Sequence, residues 1–131
     1  MMKPFLVLGA LTMLVQPTLA QQALASPEGI WEIEMRDSRY SVELCGGGTQ
    51  LCGTLIWLGN GADNAENLPY LNTLLIDHAR QVEPNQWKGD LHIFGQSGTG
   101  TITQVGADQI TLRGCAFVVV CRTYQMYRYA E

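Results

Sequence analysis

The chain has 131 residues, with 12 acidic side chains against 8 basic ones and a formal net charge of −4. That length sets a prior of one domain. The mild acidity excludes a protein built to grip nucleic acid, because phosphate binding needs a basic face.

Residues 1–25 have the form of a secretory signal. Lys3 supplies a positive start, residues 5–15 a short apolar run, and small residues allow cleavage after Ala20 or after Ala25. The apolar run is shorter than the about 20 residues that a membrane span needs, so no transmembrane segment is expected after cleavage. A single domain, residues 26–131, would then be periplasmic or secreted. All four cysteines lie in that part. An oxidising compartment makes two disulfides the expected state. Cys45 with Cys52 and Cys115 with Cys121 are the favoured pairs, because each flanks a short turn. A four-thiolate zinc site is not expected, since zinc ribbons space their cysteines more tightly.

The first alternating segment is residues 30–35, with Trp31, Ile33 and Met35 on one face and Glu32 and Glu34 on the other. Tyr40, Val42 and Leu44 alternate next. Residues 43–58 then read as two strands joined by a glycine-rich turn, with a cysteine near each end of the turn. Residues 59–67 form the longest loop. Residues 68–82 allow two readings. Leu71, Leu74, Leu75 and His78 fall at helical spacing, whereas a helical turn near Tyr70 followed by a strand over 73–82 suits an otherwise β chain. We expect the second.

Residues 86–94 alternate, with Trp87, Leu91 and Ile93 inward and Lys88, Asp90 and His92 outward. Residues 95–98 are expected as a turn, 99–105 as a threonine-rich strand, and 106–108 as another turn. Residues 109–116 point Ile110 and Leu112 inward. Residues 120–129 form the last strand, with Arg122, Tyr124, Met126 and Arg128 on one face. The sum is an all-β fold of about eight short antiparallel strands in chain order. Closure into an up-and-down barrel would remove the exposed edges. A barrel of that size is either filled by side chains or holds one small ligand.

The residues resemble a family. Gly29-Ile30-Trp31, then Cys45 and Cys52-Gly53 followed by Ile56-Trp57-Leu58, are similar to the bacterial family catalogued as domain of unknown function 2147. The similarity continues through a loop carrying Asp63 and Asn67, a strand with Trp87 and Gly89, and an ending with Arg113-Gly114, Arg122-Thr123 and Arg128. Tyr124 and Met126 stand where that family has Gln and Trp, and its central segment is reduced here to residues 93–101. The resemblance implies a lipocalin-like barrel and no settled activity. Gly29-x-Trp31 also looks like the opening of lipocalins, in which an arginine of the last strand packs over the tryptophan. That role would fall to Arg122 or Arg128, with Gly29 and Trp31 as structural residues at the closed end.

No catalytic residue, metal or cofactor is expected. The four cysteines pair off, and no nucleophile elbow, phosphate loop or paired-histidine zinc motif is present in the sequence. Asp77 and His78 are neighbours on an expected strand, so they should point to opposite faces and not pair. The expected role is non-catalytic binding of a small, partly apolar molecule in the cell envelope. Trp57, Asp63, Asn67, Tyr124 and Met126 are the candidate contacts. The alternative is a barrel packed solid that binds an envelope protein, through an outer face carrying Tyr127 and Tyr129 beside the disulfide-bonded end.

Overall fold

A computed structural model describes residues 24–116 and 120–130, together with residues 2, 4, 9, 10 and 13. The expected signal segment lies for the most part outside them. Among the described residues eight strands run in chain order: β1 Gly29–Ile33, β2 Ser38–Cys45, β3 Gln50–Leu58, β4 Leu74–Glu83, β5 Gln86–Ile93, β6 Gln96–Gly106, β7 Gln109–Ala116 and β8 Val120–Arg128. Each strand pairs antiparallel with the next, and β8 returns to β1, so the sheet closes into an up-and-down barrel. This is a lipocalin-like barrel. One-turn 3₁₀ segments lie at Gly46–Gly48 and Leu68–Tyr70. The second precedes β4, which resolves 68–82 as a turn and then a strand.

Period-two alternation builds the interior. Trp31, Tyr40, Val42, Leu51, Leu55, Ile76, Trp87, Leu91, Ile102, Ile110, Leu112 and Met126 form the buried core. Two expected boundaries shift, and one strand bulges, where a residue takes a left-handed backbone. β1 stops at Ile33 because Arg36 (φ 58°) closes a turn by donating its N–H to the Ile33 carbonyl, so Met35 lies in the turn and not on the strand. Phe94 (φ 43°) and Gly95 (φ 83°) both take positive φ, as a two-residue hairpin turn requires, so β6 begins at Gln96 and not at 99. His78 (φ 51°) sits in a bulge of β4, where the register to β5 shifts between Asp77 and Arg80.

The ends of the barrel differ. The β2–β3, β4–β5 and β6–β7 turns gather at one end, with the start of β1 and the finish of β8. Three inward polar side chains tie this end to backbone carbonyls. Trp31 Nε1 donates to Pro27 at 2.8 Å, Trp87 Nε1 to Thr49 at 3.3 Å, and Gln104 Nε2 to Ala25 at 2.8 Å. Arg128 completes the seal. Its guanidinium lies 4.4 Å from the Trp31 ring centroid and donates to the carbonyls of Ser26, Glu28 and Ala107. Gly29 has to be glycine here. Its φ is 141°, and a Cβ would stand 2.7 Å from Arg128 Nη1. Of the two candidate arginines, Arg128 therefore covers the tryptophan.

Both favoured disulfides are present, Cys45–Cys52 and Cys115–Cys121, and no free cysteine remains among the described residues. They are not at one end. Cys45–Cys52 flanks the turn at the closed end, whereas Cys115–Cys121 ties β7 to β8 at the opposite end. The single disulfide-bonded end expected from the sequence is corrected to one bridge at each end.

Candidate functional site: the open mouth of the barrel

Among the described residues, the end opposite Arg128 is less filled. A cavity of about 380 Å³ opens there between the β5–β6 hairpin and the β7–β8 edge. Leu91, Ile93, Phe94, Ala116 and Tyr124 give it apolar walls, and among the described residues Arg122 is the one charged side chain lining it. A smaller hollow of about 150 Å³ adjoins it, sharing Ile93, Phe94 and Tyr124. The space exists because inward positions of β6 and β7 near this end are Gly98, Gly100 and Gly114. Leu91 leans into the room above Gly100, where a Cβ would overlap its methyl group and stand 2.9 Å from the Arg113 carbonyl. Gly98 and Gly114 border the cavity itself. Tyr70, from the 59–73 loop, caps one side by meeting the Phe94 ring edge-on at 5.9 Å between centroids.

Of the residues expected to contact a ligand, Tyr124 lines both hollows, and Met126 and Asn67 line the smaller one. Asn67 is held there by donating to the Ala62 carbonyl at 3.1 Å. Asp63 and Trp57 line neither. Asp63 accepts the Gly61 N–H within its own loop. Trp57 lies on the outer face, because the β2–β3 register shifts between Arg39 and Tyr40 and sets Trp57 opposite Arg39. The Arg39 guanidinium is sandwiched there, 3.9 Å from the Trp57 centroid and 3.8 Å from that of Tyr129, while its Nε donates to Glu32 at 2.8 Å. Sequence reasoning gave Arg122 a structural role, yet it is the cation of the mouth. The inward series Arg122, Tyr124, Met126 and Arg128 already put it on the barrel's inner face. Their places near the start and at the finish of β8 send the two arginines to opposite ends of the barrel.

The expectation that Asp77 and His78 cannot pair is overturned. His78 Nδ1 lies 2.7 Å from Asp77 Oδ1. The left-handed turn at His78 breaks the alternation that would have sent it to the other face. Asp77 Oδ2 also bonds His92 Nε2 at 3.1 Å, and His92 Nδ1 meets Ser97 Oγ at 2.9 Å. The result is a polar chain along the outer face of β4, β5 and β6. His92 does point outward, as its place between Lys88 and Asp90 suggested, but it is tied at both ring nitrogens. The hydrogen bonds from His78 and then His92 hold the Asp77 carboxyl below its ordinary range.

Among the described residues no helix is long and apolar enough to cross a membrane. Comparisons with known protein families, with curated proteins and with solved structures find no match to this chain.

Proposed function

We propose that this barrel is an exported, non-catalytic binding protein of the cell envelope that holds one small, partly apolar molecule with an anionic end. The observation that carries the reading is the mouth cavity: about 380 Å³, apolar walls, and Arg122 as the lone lining charge among the described residues. Ligand sites are concave, mostly apolar, and oriented by a few polar groups, and this volume falls within their usual range. The pairing of all the cysteines supports export, because structural disulfides persist in oxidising compartments. The resemblance to the exported family named above belongs to the same proposal.

The test is a fluorescence titration with anilinonaphthalene sulfonate, an amphiphile with one sulfonate. Saturable one-to-one binding is expected. Arg122→Ala should weaken it about tenfold, the loss of one charge-assisted bond at a solvated site. Gly114→Leu should abolish it by placing a side chain in the cavity. Binding that never saturates, or that ignores both substitutions while circular dichroism shows an intact barrel, removes this reading.

A second reading rests on the outer face. Tyr127 is 47% exposed and Ile56 37% exposed. With the Trp57–Arg39–Tyr129 stack they form an aromatic surface suited to a protein partner. A parent chain that binds no amphiphile would move the weight to this face.

A further inference from the structure

The outer face at the closed end carries a group that ligand binding in the mouth does not use. Cys45 Sγ, Cys52 Sγ and a ring nitrogen of His78 all lie within 4.8 Å of one another. In the bridged state the sulfurs have no thiolate to offer a metal. His78 reaches them only through the β4 bulge, at φ 51°. Its Nδ1 is already engaged by Asp77 Oδ1 at 2.7 Å, so the nitrogen left for another partner is Nε2. A carboxylate on one imidazole nitrogen is what fixes the tautomer and ring orientation of a metal-ligating histidine.

We propose that reduction of the Cys45–Cys52 bridge opens a site for a thiophilic divalent cation, with Zn²⁺ as the fitting ion, held by two thiolates and His78 Nε2. Such a site is independent of any ligand in the mouth. The step balances. A dithiol reductant supplies two electrons and two protons to the disulfide and is itself oxidised to a disulfide. Zn²⁺ then displaces the two thiol protons. With Zn–S near 2.3 Å, tetrahedral geometry sets the sulfurs about 3.8 Å apart. The Cα atoms stand 6.0 Å apart, so rotation of the cysteine side chains supplies that spacing. The glycine turn Gly46–Gly48 gives further freedom. The His78 side chain is 54% exposed, which leaves the fourth position to water. Three protein ligands and a water make an exchangeable site rather than a closed structural one. The disulfide thus acts as a redox lock on metal binding.

The test uses the purified chain, oxidised and after reduction by a dithiol that is then removed under inert gas, titrated with Co²⁺. The reduced chain should show sulfur-to-cobalt charge transfer and tetrahedral visible bands, both lost on adding Zn²⁺. The oxidised chain should show neither. Replacing Cys115 and Cys121 together by serine should leave the bands in place. His78→Ala should weaken Co²⁺ binding at least ~10-fold, and Asp77→Asn by about 10- to 100-fold, the usual range for a partner that orients a ligand. The proposal is overturned by absent charge transfer, by bands that follow Cys115 and Cys121, or by unchanged affinity in His78→Ala. It is equally overturned if reduction abolishes the sheet signal in circular dichroism, since the site needs the folded bulge.

Discussion

Replacing Arg128 by methionine keeps the apolar stem over Trp31 and removes the guanidinium. The carbonyls of Ser26, Glu28 and Ala107 then lose donors at 2.8–3.0 Å. Bonds to charged groups are worth about 1.5–3 kcal/mol when buried, but these acceptors reach solvent, so about 0.7 kcal/mol each is the fitting scale. The cation–π contact at 4.4 Å adds about 0.5–1 kcal/mol. The ion pair with Asp108, whose side chain is 81% exposed, adds little. The total is about 3 kcal/mol. For a domain of roughly 100 residues each kcal/mol moves the melting temperature by about 4–8 °C, so a fall of about 12–24 °C is expected. Urea unfolding followed by tryptophan fluorescence measures the free energy directly. Arg128→Lys, which keeps the charge but cannot reach three carbonyls at once, should recover a minor part. A loss under about 1 kcal/mol for the methionine variant would refute the view that this arginine seals the barrel.

Other residues give sharper local tests. Gly100→Ala should destabilise the barrel by about 1–3 kcal/mol, the cost of overpacking, because its Cβ meets Leu91 and stands 2.9 Å from the Arg113 carbonyl; an unchanged urea midpoint would show slack in the β6–β7 wall. Asp77 is held low by His78 and His92, so its folded value lies below its unfolded one. Its stabilisation is present above about pH 4 and is lost as pH falls through the folded value. In a His78→Ala, His92→Ala variant the Asp77 carboxyl should titrate at higher pH by carbon NMR, and an identical midpoint contradicts the hydrogen-bond origin. Burial is the main cause that raises the Tyr40 phenol above its ordinary range, against an opposing hydrogen bond from Ser38. Stabilisation from the neutral phenol is complete below about pH 10 and is lost as pH rises through the folded value. Tyr40→Phe should flatten the alkaline fall in stability between about pH 10 and 12, and an equally steep fall would place its cause elsewhere.

The barrel was legible because its main signal is local. Trp31 and Ile33, Tyr40 and Val42, and Ile110 and Leu112 declare an inner face by spacing alone, and each is buried. The disulfide pairs were legible because a turn brings its flanks together. What escaped was every step at which one residue breaks the period. Nothing in the residue type announces that Arg36 or Phe94 adopts positive φ, and the enrichment of histidine there does not single out His78 over His92, since only the surrounding pairing makes that conformation worth its strain. The His78 end of the polar chain that runs to Ser97 follows from one such break. The placement of Trp57 follows from another irregularity, the register shift between Arg39 and Tyr40. The mouth was half legible. Its inward aromatic Tyr124 was found by alternation, but its space comes from Gly98 and Gly114, and glycines read in sequence suggest turns before they suggest the missing wall of a cavity.

Arg122 and Arg128 share one face of β8 and serve opposite ends of it. Six residues of strand separate them by roughly 20 Å, at about 3.3 Å per residue. One is locked against three carbonyls and an indole, and the other lines an open cleft. Sites that far apart with no shared partner act additively within about 0.5 kcal/mol. The double variant Arg122→Ala, Arg128→Met should therefore lose stability only to the extent of the Arg128 change. At temperatures where it stays folded, it should lose amphiphile affinity only to the extent of the Arg122 change. A double-mutant cycle in both readouts checks this. Coupling well above 0.5 kcal/mol would mean that the seal at one end sets the shape of the mouth at the other. The barrel would then be a single responsive body rather than a rigid cup with a separate binding rim.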